Sequence, residues 1–279
     1  MRLIECLHTQ SKCYNASNNK ITPVGIVVHS TGANNTFVKR YAQPSTSDPN
    51  YYELRALIGI NKYGNHWNRN VSKGTHYIIG KIDDGSTATI KMLPENIACW
   101  GIGKGKNGSY NYDPVAHIQF EICEDNLKSE SYFKAIYKEA IELCADICKR
   151  YGWSSKVIVS HKEAHAKGYG TNHSDIDHWL KKYNLTMDDF RKEVDTLLKA
   201  PEPETKPSEP AVIKVGDKVK LVDGAKWYDG KSIKSWLFAK TLYVRQIQIK
   251  NRKTVLLLST YEKLPSYTGR VYPELVKKV

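Results

Sequence analysis

Two histidines stand at the ends of short apolar segments, where they could bind a metal ion. His29 directly follows the apolar residues 26–28, and His161 comes two positions after the apolar residues 157–159. Both segments are typical of buried strands. Side chains at strand ends project into the crevice where open α/β sheets place their functional sites. The pair therefore predicts a site at one edge of a sheet.

A polar loop at 172–178 supplies candidates for a third ligand. It contains Asp175, Asp177 and His178. Two imidazoles and one carboxylate leave a fourth position open for water, which is the catalytic rather than the structural zinc pattern. The chain has no HExxH segment, so a zincin-type protease is not expected.

Glu121 is an acidic residue within a predicted strand. It lies in the alternating segment 117–122, between the apolar residues Phe120 and Ile122, so it points to the opposite sheet face from theirs. That orientation is compatible with a catalytic carboxylate and with a salt-bridged surface residue.

The elements that must position these residues alternate between strand and helix. Apolar or alternating segments predict strands, and residues 131–151 repeat apolar side chains at helical spacing. A last helix is predicted from Thr186, which begins a capping-type Thr-Met-Asp-Asp. The predicted strands are 25–28, 75–79, 117–122 and 157–159. This order indicates an α/β fold with a mixed central sheet flanked by helices.

A change in composition divides the chain into a domain at 1–200, a linker at 201–212 and a domain at 213–279. Four prolines in the linker disfavour helix and sheet and predict an extended spacer. Residues 213–279 contain short alternating segments and no strong helical pattern, which predicts a small all-β barrel of the SH3 type.

Positive charge is concentrated at the carboxyl end. The chain has a formal net charge of +13, and residues 213–279 hold 15 Lys and Arg against 5 Asp and Glu, or +10. Such a module favours an anionic partner: a cell-wall polymer, a nucleic acid or a membrane surface. No apolar run approaches the roughly 20 residues of a membrane helix.

Six short motifs occur in an order that resembles the N-acetylmuramoyl-L-alanine amidase type 2 family, which shares its fold with peptidoglycan-recognition proteins. Together they span about residues 20–180. The motifs are Ile26-Val27-Val28-His29-Ser30-Thr31, His76-Tyr77-Ile78-Ile79, Ile97-Ala98-Cys99-Trp100, Ile118-Gln119-Phe120-Glu121, Val159-Ser160-His161 and His173-Ser174-Asp175.

The resemblance implies roles for individual residues. His29, His161 and Asp175 would be zinc ligands, with Asp177 as the rival third ligand and His178 as the next possibility. His173 would donate to the developing oxyanion, and Glu121 would be the catalytic glutamate. The implied reaction is hydrolysis of the amide between N-acetylmuramic acid and L-alanine by zinc-activated water. The alternative is a non-catalytic peptidoglycan-recognition protein, which retention of all these residues disfavours.

The sequence departs from the family at one motif. Trp100-Gly101-Ile102-Gly103 stands where the family usually has Trp-His-Ala-Gly. That histidine is not a metal ligand, so we expect activity to survive with one contact in the substrate groove changed. The other histidines, His66, His76, His117 and His165, are interpreted as structural, groove or surface residues.

Residues 213–279 resemble the SH3-like wall-binding domains of phage and prophage endolysins. Trp227, Tyr228 and Trp236 could form a stacking platform for sugar or peptide groups, or one or two of them could fill the small core. Peptidoglycan and anionic wall polymers are therefore the expected partners. A nucleic-acid-binding protein is the competing interpretation of the basic composition, but no nucleic-acid-binding motif is present.

The amino-terminal residues lack the apolar stretch of a secretory signal. We therefore expect an endolysin that is cytoplasmic until a holin opens the membrane, from a phage or prophage, and not an exported autolysin. Without an export signal, the six cysteines are expected to be free thiols.

Overall fold

The computed structural model describes residues 1–200, 213–250, 253–260 and 267–279. Residues 1–200 form one compact unit, and the described residues from 213 onward belong to a second. The expected linker at 201–212 lies outside the described residues.

The first unit contains six strands and six α-helices, besides two short 3-10 helices. In chain order they are β1 (Leu3–Glu5), α1 (Lys12–Asn15), β2 (Ile26–Ser30), α2 (Tyr51–Ile58), β3 (Tyr77–Lys81), β4 (Thr87–Lys91), β5 (Ile118–Ile122), α3 (Glu130–Tyr151), β6 (Ile158–Ser160), α4 (His161–Ala166), α5 (Asp177–Lys182) and α6 (Met187–Lys199). The strands form one sheet in the order β1-β4-β3-β5-β2-β6.

This sheet is mixed. Only β3 and β4 pair antiparallel among the named strands; the other four pairings are parallel. Parallel strands need crossover connections, and the long helix α3 runs between β5 and β6. The predicted mixed sheet with flanking helices is confirmed.

Helix α3 covers one face of the sheet. Ser129 caps its first turn by accepting a hydrogen bond from the Tyr132 amide, and Gly152 ends it in the left-handed region at φ 68°. The apolar side of α3 packs on Ile26, Val28 and Phe120. Thr186 caps α6 through a reciprocal capping box with Asp189, as its sequence predicts.

The opposite face of the sheet is covered in two separate patches. One patch packs α2 and Val38 against Ile78 and Ile90. The other packs Ile102 and Tyr110 against Val27 and Val159. These patches account for the apolar residues of that face and leave its polar residues, including His29 and Glu121, for other contacts.

The described part of the second unit contains five antiparallel strands: β7 (Lys218–Leu221), β8 (Leu242–Lys250), β9 (Lys253–Ser259), β10 (Gly269–Val271) and β11 (Val276–Lys278). Their order is β10-β9-β8-β7-β11. Val219, Leu242 and Leu258 are completely buried in its small core. The prediction of a separate all-β module is confirmed.

Two further sequence expectations concern cysteines and membrane helices. All six cysteines lie within the described residues, and each is buried and free of a disulfide. Among the helices that the structure describes, none is long and apolar enough to cross a membrane.

Candidate metal centre and catalytic site

His29 and Glu121 are neighbours on adjacent parallel strands. Strands β2 and β5 pair so that His29 stands directly opposite Glu121. Because side chains alternate along a strand, the apolar neighbours of both residues face α3. His29 and Glu121 therefore share the other face, at the carboxyl ends of their strands.

His161 reaches the same place from β6, the strand on the other side of β2. Val28 pairs with Ser160 in this ladder. Ser160 then caps α4 through a capping box with Glu163, so the chain turns into a helix at His161. That turn fixes the direction in which the His161 imidazole leaves the sheet.

The two imidazoles meet a carboxylate. His29 Nδ1 lies 3.0 Å from His161 Nδ1, and Asp175 Oδ2 lies 3.2 Å from the first and 3.3 Å from the second. One ligand atom from each residue falls within a mutual distance of 4.8 Å. Three electron-pair donors this close require a shared proton or a cation between them. Nitrogen and oxygen ligands in this ratio suit Zn²⁺.

The rival ligands lie elsewhere. Asp177 is the first residue of α5 and is not part of the cluster found among the described residues. His178 Nε2 instead pairs with Glu124 Oε1 at 3.2 Å. Of the three loop candidates, the structure brings only Asp175 to both histidines.

His173 lies beside the cluster and not within it. Its ring stacks on that of His161 with centroids 4.6 Å apart and an interplanar angle of 18°. Its Nδ1 is 3.6 Å from Asp175 Oδ1, and its side chain is 60% exposed. An exposed imidazole at the rim of a metal cluster can donate a hydrogen bond to a substrate.

Glu121 carries an unsatisfied carboxylate oxygen. Its Oε2 is buried and has no hydrogen-bond partner within the described structure. Burial raises the pKa of Glu121 well above its usual value, and the negative charges of Asp175 and Glu124 raise it further. A carboxyl group with a raised pKa beside a metal cluster is suited to accept and return a proton.

Asp175 has the opposite character. Burial raises the pKa of Asp175, but the contacts of its carboxylate with the His161 and His29 imidazoles outweigh that effect and lower the pKa. The environments of the two carboxyl groups thus shift their pKa values in opposite directions, so that Asp175 is ionised and Glu121 is more easily protonated.

A family model described as N-acetylmuramoyl-L-alanine amidase matches residues 19–177. The chain belongs to this amidase family. The matched region contains His29, Glu121, His161 and Asp175.

Solved structures resemble this amidase-family chain at low identity. The Staphylococcus aureus hydrolase AmiA, solved with its ligand, is 17% identical with a TM-score of 0.45, covering 71% of this chain and 83% of that one. The PlyG catalytic domain is 17% identical with a TM-score of 0.44, covering 74% and 100%. A mutant endolysin from Bacillus subtilis is 22% identical with a TM-score of 0.40, covering 70% and 99%. No curated protein sequence matches the chain.

Three of the remaining histidines of this amidase-family domain, His76, His117 and His165, have local partners. His76 is completely buried between the Ile97 carbonyl oxygen and the backbone N–H of Gln119. His117 stacks on Tyr110, and His165 Nδ1 lies 3.0 Å from the Gly170 carbonyl oxygen. His66 is half-buried, and burial lowers its pKa. None of these four belongs to the cluster found among the described residues.

Two residues around the site were missed by sequence reasoning. Gln119 Oε1 lies 3.1 Å from His29 Nε2. Glu124 accepts hydrogen bonds from Ser30 Oγ at 2.6 Å and the Gly32 amide at 3.2 Å, which holds the loop after β2. Gln119 shares the alternation of His117 and Glu121, so its face was readable from the sequence. Glu124 follows its strand and had no such signal.

Proposed function

We propose that this chain is a zinc-dependent peptidoglycan amidase that cleaves the amide between N-acetylmuramic acid and L-alanine. Membership of the amidase family supports the reaction class. The observation that carries the proposal is the convergence of His29, His161 and Asp175 beside Glu121, whose buried oxygen has no partner in the described structure.

The donor set fits zinc. Two imidazole nitrogens and one carboxylate oxygen are a common catalytic ligand set that leaves a position open. When bound there, the ion would polarise the scissile carbonyl and lower the pKa of water. His29, His161 and Asp175 would hold it, and the burial of both histidines would keep their geometry fixed.

Glu121 and His173 would carry the proton transfer and the charge stabilisation. Glu121 would take a proton from the attacking water and return it to the leaving L-alanine amine, which its raised pKa favours. His173 would donate to the oxygen of the scissile carbonyl as negative charge develops there. Its exposure leaves the ring accessible to substrate.

A non-catalytic peptidoglycan-binding protein is the alternative. Such a protein would gain nothing from an unpartnered buried carboxylate, which costs stability. The burial of Glu121 Oε2 therefore favours the enzyme.

Product analysis of digested peptidoglycan tests the proposal. We expect new L-alanine amino termini without new reducing ends, loss of activity with a chelator, and recovery with Zn²⁺. The Asp175→Asn variant should be inactive, with His165→Ala as a matched control because that imidazole lies outside the cluster. Reducing ends without L-alanine termini, or full activity in chelator, would contradict the proposal.

The second unit is proposed to bind the cell wall. Its strong positive charge suits anionic wall polymers. Tyr228 and Tyr272 place their rings 5.4 Å apart, and Lys253 Nζ lies 5.4 Å from the centre of the Tyr272 ring. Aromatic rings beside a cation suit sugar and anionic groups together.

Retention on isolated cell walls and on DNA-cellulose separates this proposal from nucleic-acid binding. We expect the full chain to be retained on walls and eluted by salt, with weaker retention on DNA at equal ionic strength. Preferential retention on DNA would favour the nucleic-acid interpretation.

We further propose that the enzyme acts as an endolysin, held in the cytoplasm until a holin releases it.

A further inference from the structure

Gln119 connects the His29 imidazole to a buried loop. It is completely buried on β5, on the same face as Glu121. Its Oε1 lies 3.1 Å from His29 Nε2, and its Nε2 donates to Asn111 Oδ1 at 2.9 Å. The amide therefore lies between the metal cluster and residue 111.

The orientation of Asn111 is fixed by the main chain of Ile102. Asn111 Nδ2 donates to the Ile102 carbonyl oxygen at 2.6 Å, and the Ile102 amide points at Asn111 Oδ1 at 3.4 Å. A carbonyl can only accept and an amide N–H can only donate. Exchanging the oxygen and nitrogen of Asn111 would lose both contacts.

The orientation of Gln119 follows from that of Asn111. Asn111 Oδ1 and the Tyr110 carbonyl are both acceptors, and Gln119 Nε2 faces them at 2.9 and 3.4 Å. Gln119 Oε1 must then face His29, and an oxygen acceptor requires a proton on His29 Nε2. In the neutral imidazole, this leaves Nδ1 with a lone pair. Nδ1 is the atom that faces His161 and Asp175.

His161 lacks an equally directional partner. Its Nε2 lies 3.3 Å from Thr171 Oγ1, and a hydroxyl group can donate or accept. The tautomer of His161 is therefore less restricted than that of His29.

Gly101 provides the space that Gln119 occupies. A Cβ atom added at Gly101 would lie 2.6 Å from Gln119 Oε1 and 2.8 Å from Thr75 Cγ2. A side chain at 101 and the present position of the Gln119 amide are therefore incompatible. The departure from the family motif at Gly101 thus coincides with an amide that contacts the metal cluster.

We propose that Gln119 is a positioning residue that holds His29 in the tautomer and orientation needed for metal binding through Nδ1. Gly101, which has no side chain, leaves room for the Gln119 side-chain amide. This inference rests on the proposed function, because it assumes that the cluster binds zinc. Partners of this kind fix the tautomer of a metal-binding histidine, and their loss costs about 10- to 100-fold in metal affinity or activity.

Zinc affinity of the full chain tests the inference, measured by competition with a chromophoric chelator. We expect Gln119→Leu to lower the affinity about 10- to 100-fold. Gly101→Ala should lower it in the same direction, because it displaces the amide without removing it. Thr89→Val is the matched control. It loses one buried hydrogen bond, to Glu139 Oε1 at 3.1 Å, and should retain wild-type affinity.

A second readout uses the metal-free protein. In ¹⁵N NMR at a pH well above the usual histidine pKa, the wild-type His29 ring should carry its proton on Nε2, and Gln119→Leu should lose this preference.

The outcomes separate the two proposals. A wild-type chain that binds no zinc contradicts the proposed function. A wild-type chain that binds zinc, with folded Gln119→Leu or Gly101→Ala binding equally well, overturns the positioning role. If Gln119→Leu does not fold, the positioning role is tested by the zinc affinity of Gly101→Ala and by the wild-type NMR spectrum. A His29 proton on Nδ1 in that spectrum would overturn the positioning role.

Discussion

The imidazole of His173 lies nearly parallel to that of His161, 4.6 Å away, while contributing no atom to the ligand cluster. One ring of the stack is buried and the other is exposed. The stack therefore holds an exposed donor at a fixed position beside the cluster.

Replacing His173 should impair catalysis without releasing the metal. We expect His173→Ala to lower kcat about 100-fold or more, the loss typical of an oxyanion donor. Zinc affinity should stay within a few-fold of wild type, because the ligand atoms remain. Hydrolysis rates and chelator competition measure the two effects. His165→Ala, which also removes an exposed imidazole, is the control, and a parallel loss of zinc binding would make His173 a ligand instead.

Replacing Glu121 by its neutral isostere should lower the activity and raise the stability of the folded protein. Glu121→Gln removes the proton acceptor, so we expect a loss of about 10²- to 10⁴-fold in kcat. It also replaces a carboxyl group whose ionisation is opposed by burial, so the melting temperature at neutral pH should rise.

The pH dependence of stability checks the same prediction. The pKa of Glu121 is raised in the folded state, so the folded protein binds this proton more tightly than the unfolded chain. Stability therefore falls as the pH rises from the usual glutamate pKa through the raised one, and Glu121→Gln should lack this loss. Parallel stability curves for the wild type and the variant would show that Glu121 is not buried as described.

The fold and the histidine pair were predictable because their signals are local. Apolar segments, the alternation around Phe120 and the capping sequence at Thr186 each depend on a few neighbouring residues. The strand bounds differ from the predicted ones by a residue or two, since strand ends depend on pairing.

The contacts that refine the site were not predictable in the same way. Asn111 reaches Gln119 through a loop, and its position depends on hydrogen bonds to Ile102. The assignment among loop carboxylates likewise depends on the path of residues 172–178. Gln119 was predictable in part. The alternation along its strand predicts the sheet face on which its side chain lies, but not its contact with His29.

Two aspartate variants should show whether Asp175 or Asp177 is the third zinc ligand. Asp175→Asn replaces a charged oxygen at the cluster, so we expect zinc affinity to fall by more than about 100-fold, beyond the range of outer-shell substitutions. Asp177→Asn should bind zinc nearly as well as wild type. Burial raises the pKa of Asp177, so the neutral amide is also tolerated there. Chelator competition on both variants decides between them, and the reverse order would assign the ligand to Asp177.

The tryptophans of the second unit should divide into a structural and a binding residue. Trp227 packs on the core, and a Cβ atom added at Gly269 would overlap its ring. Trp227→Ala should therefore lower the free energy of unfolding of this unit by up to about 3 kcal/mol. Trp236 is 52% exposed, so Trp236→Ala should weaken retention on cell walls at unchanged melting temperature. Unchanged retention would remove Trp236 from the proposed wall-binding surface.

The ion pair between His178 and Glu124 should make stability depend on pH near neutrality. The hydrogen bond to Glu124 raises the pKa of His178 against the opposing effect of burial. Burial of Glu124 favours its neutral form, but hydrogen bonds from His178 and Ser30 outweigh this and lower its pKa. The pair is therefore fully charged between the lowered pKa of Glu124 and the raised pKa of His178.

The sign of the effect follows from linkage. A histidine whose pKa is raised by folding stabilises the folded state below its unfolded pKa of about 6.5, and this contribution is lost as the pH rises through the folded value. The difference in unfolding free energy between wild type and His178→Ala should thus be largest at mildly acidic pH and shrink in alkali. Chemical denaturation of the metal-free protein across this range measures it, with His165→Ala as the control. A difference that stays constant with pH would mean that His178 binds Glu124 as a neutral donor, and that the loop after β2 is held without an ion pair.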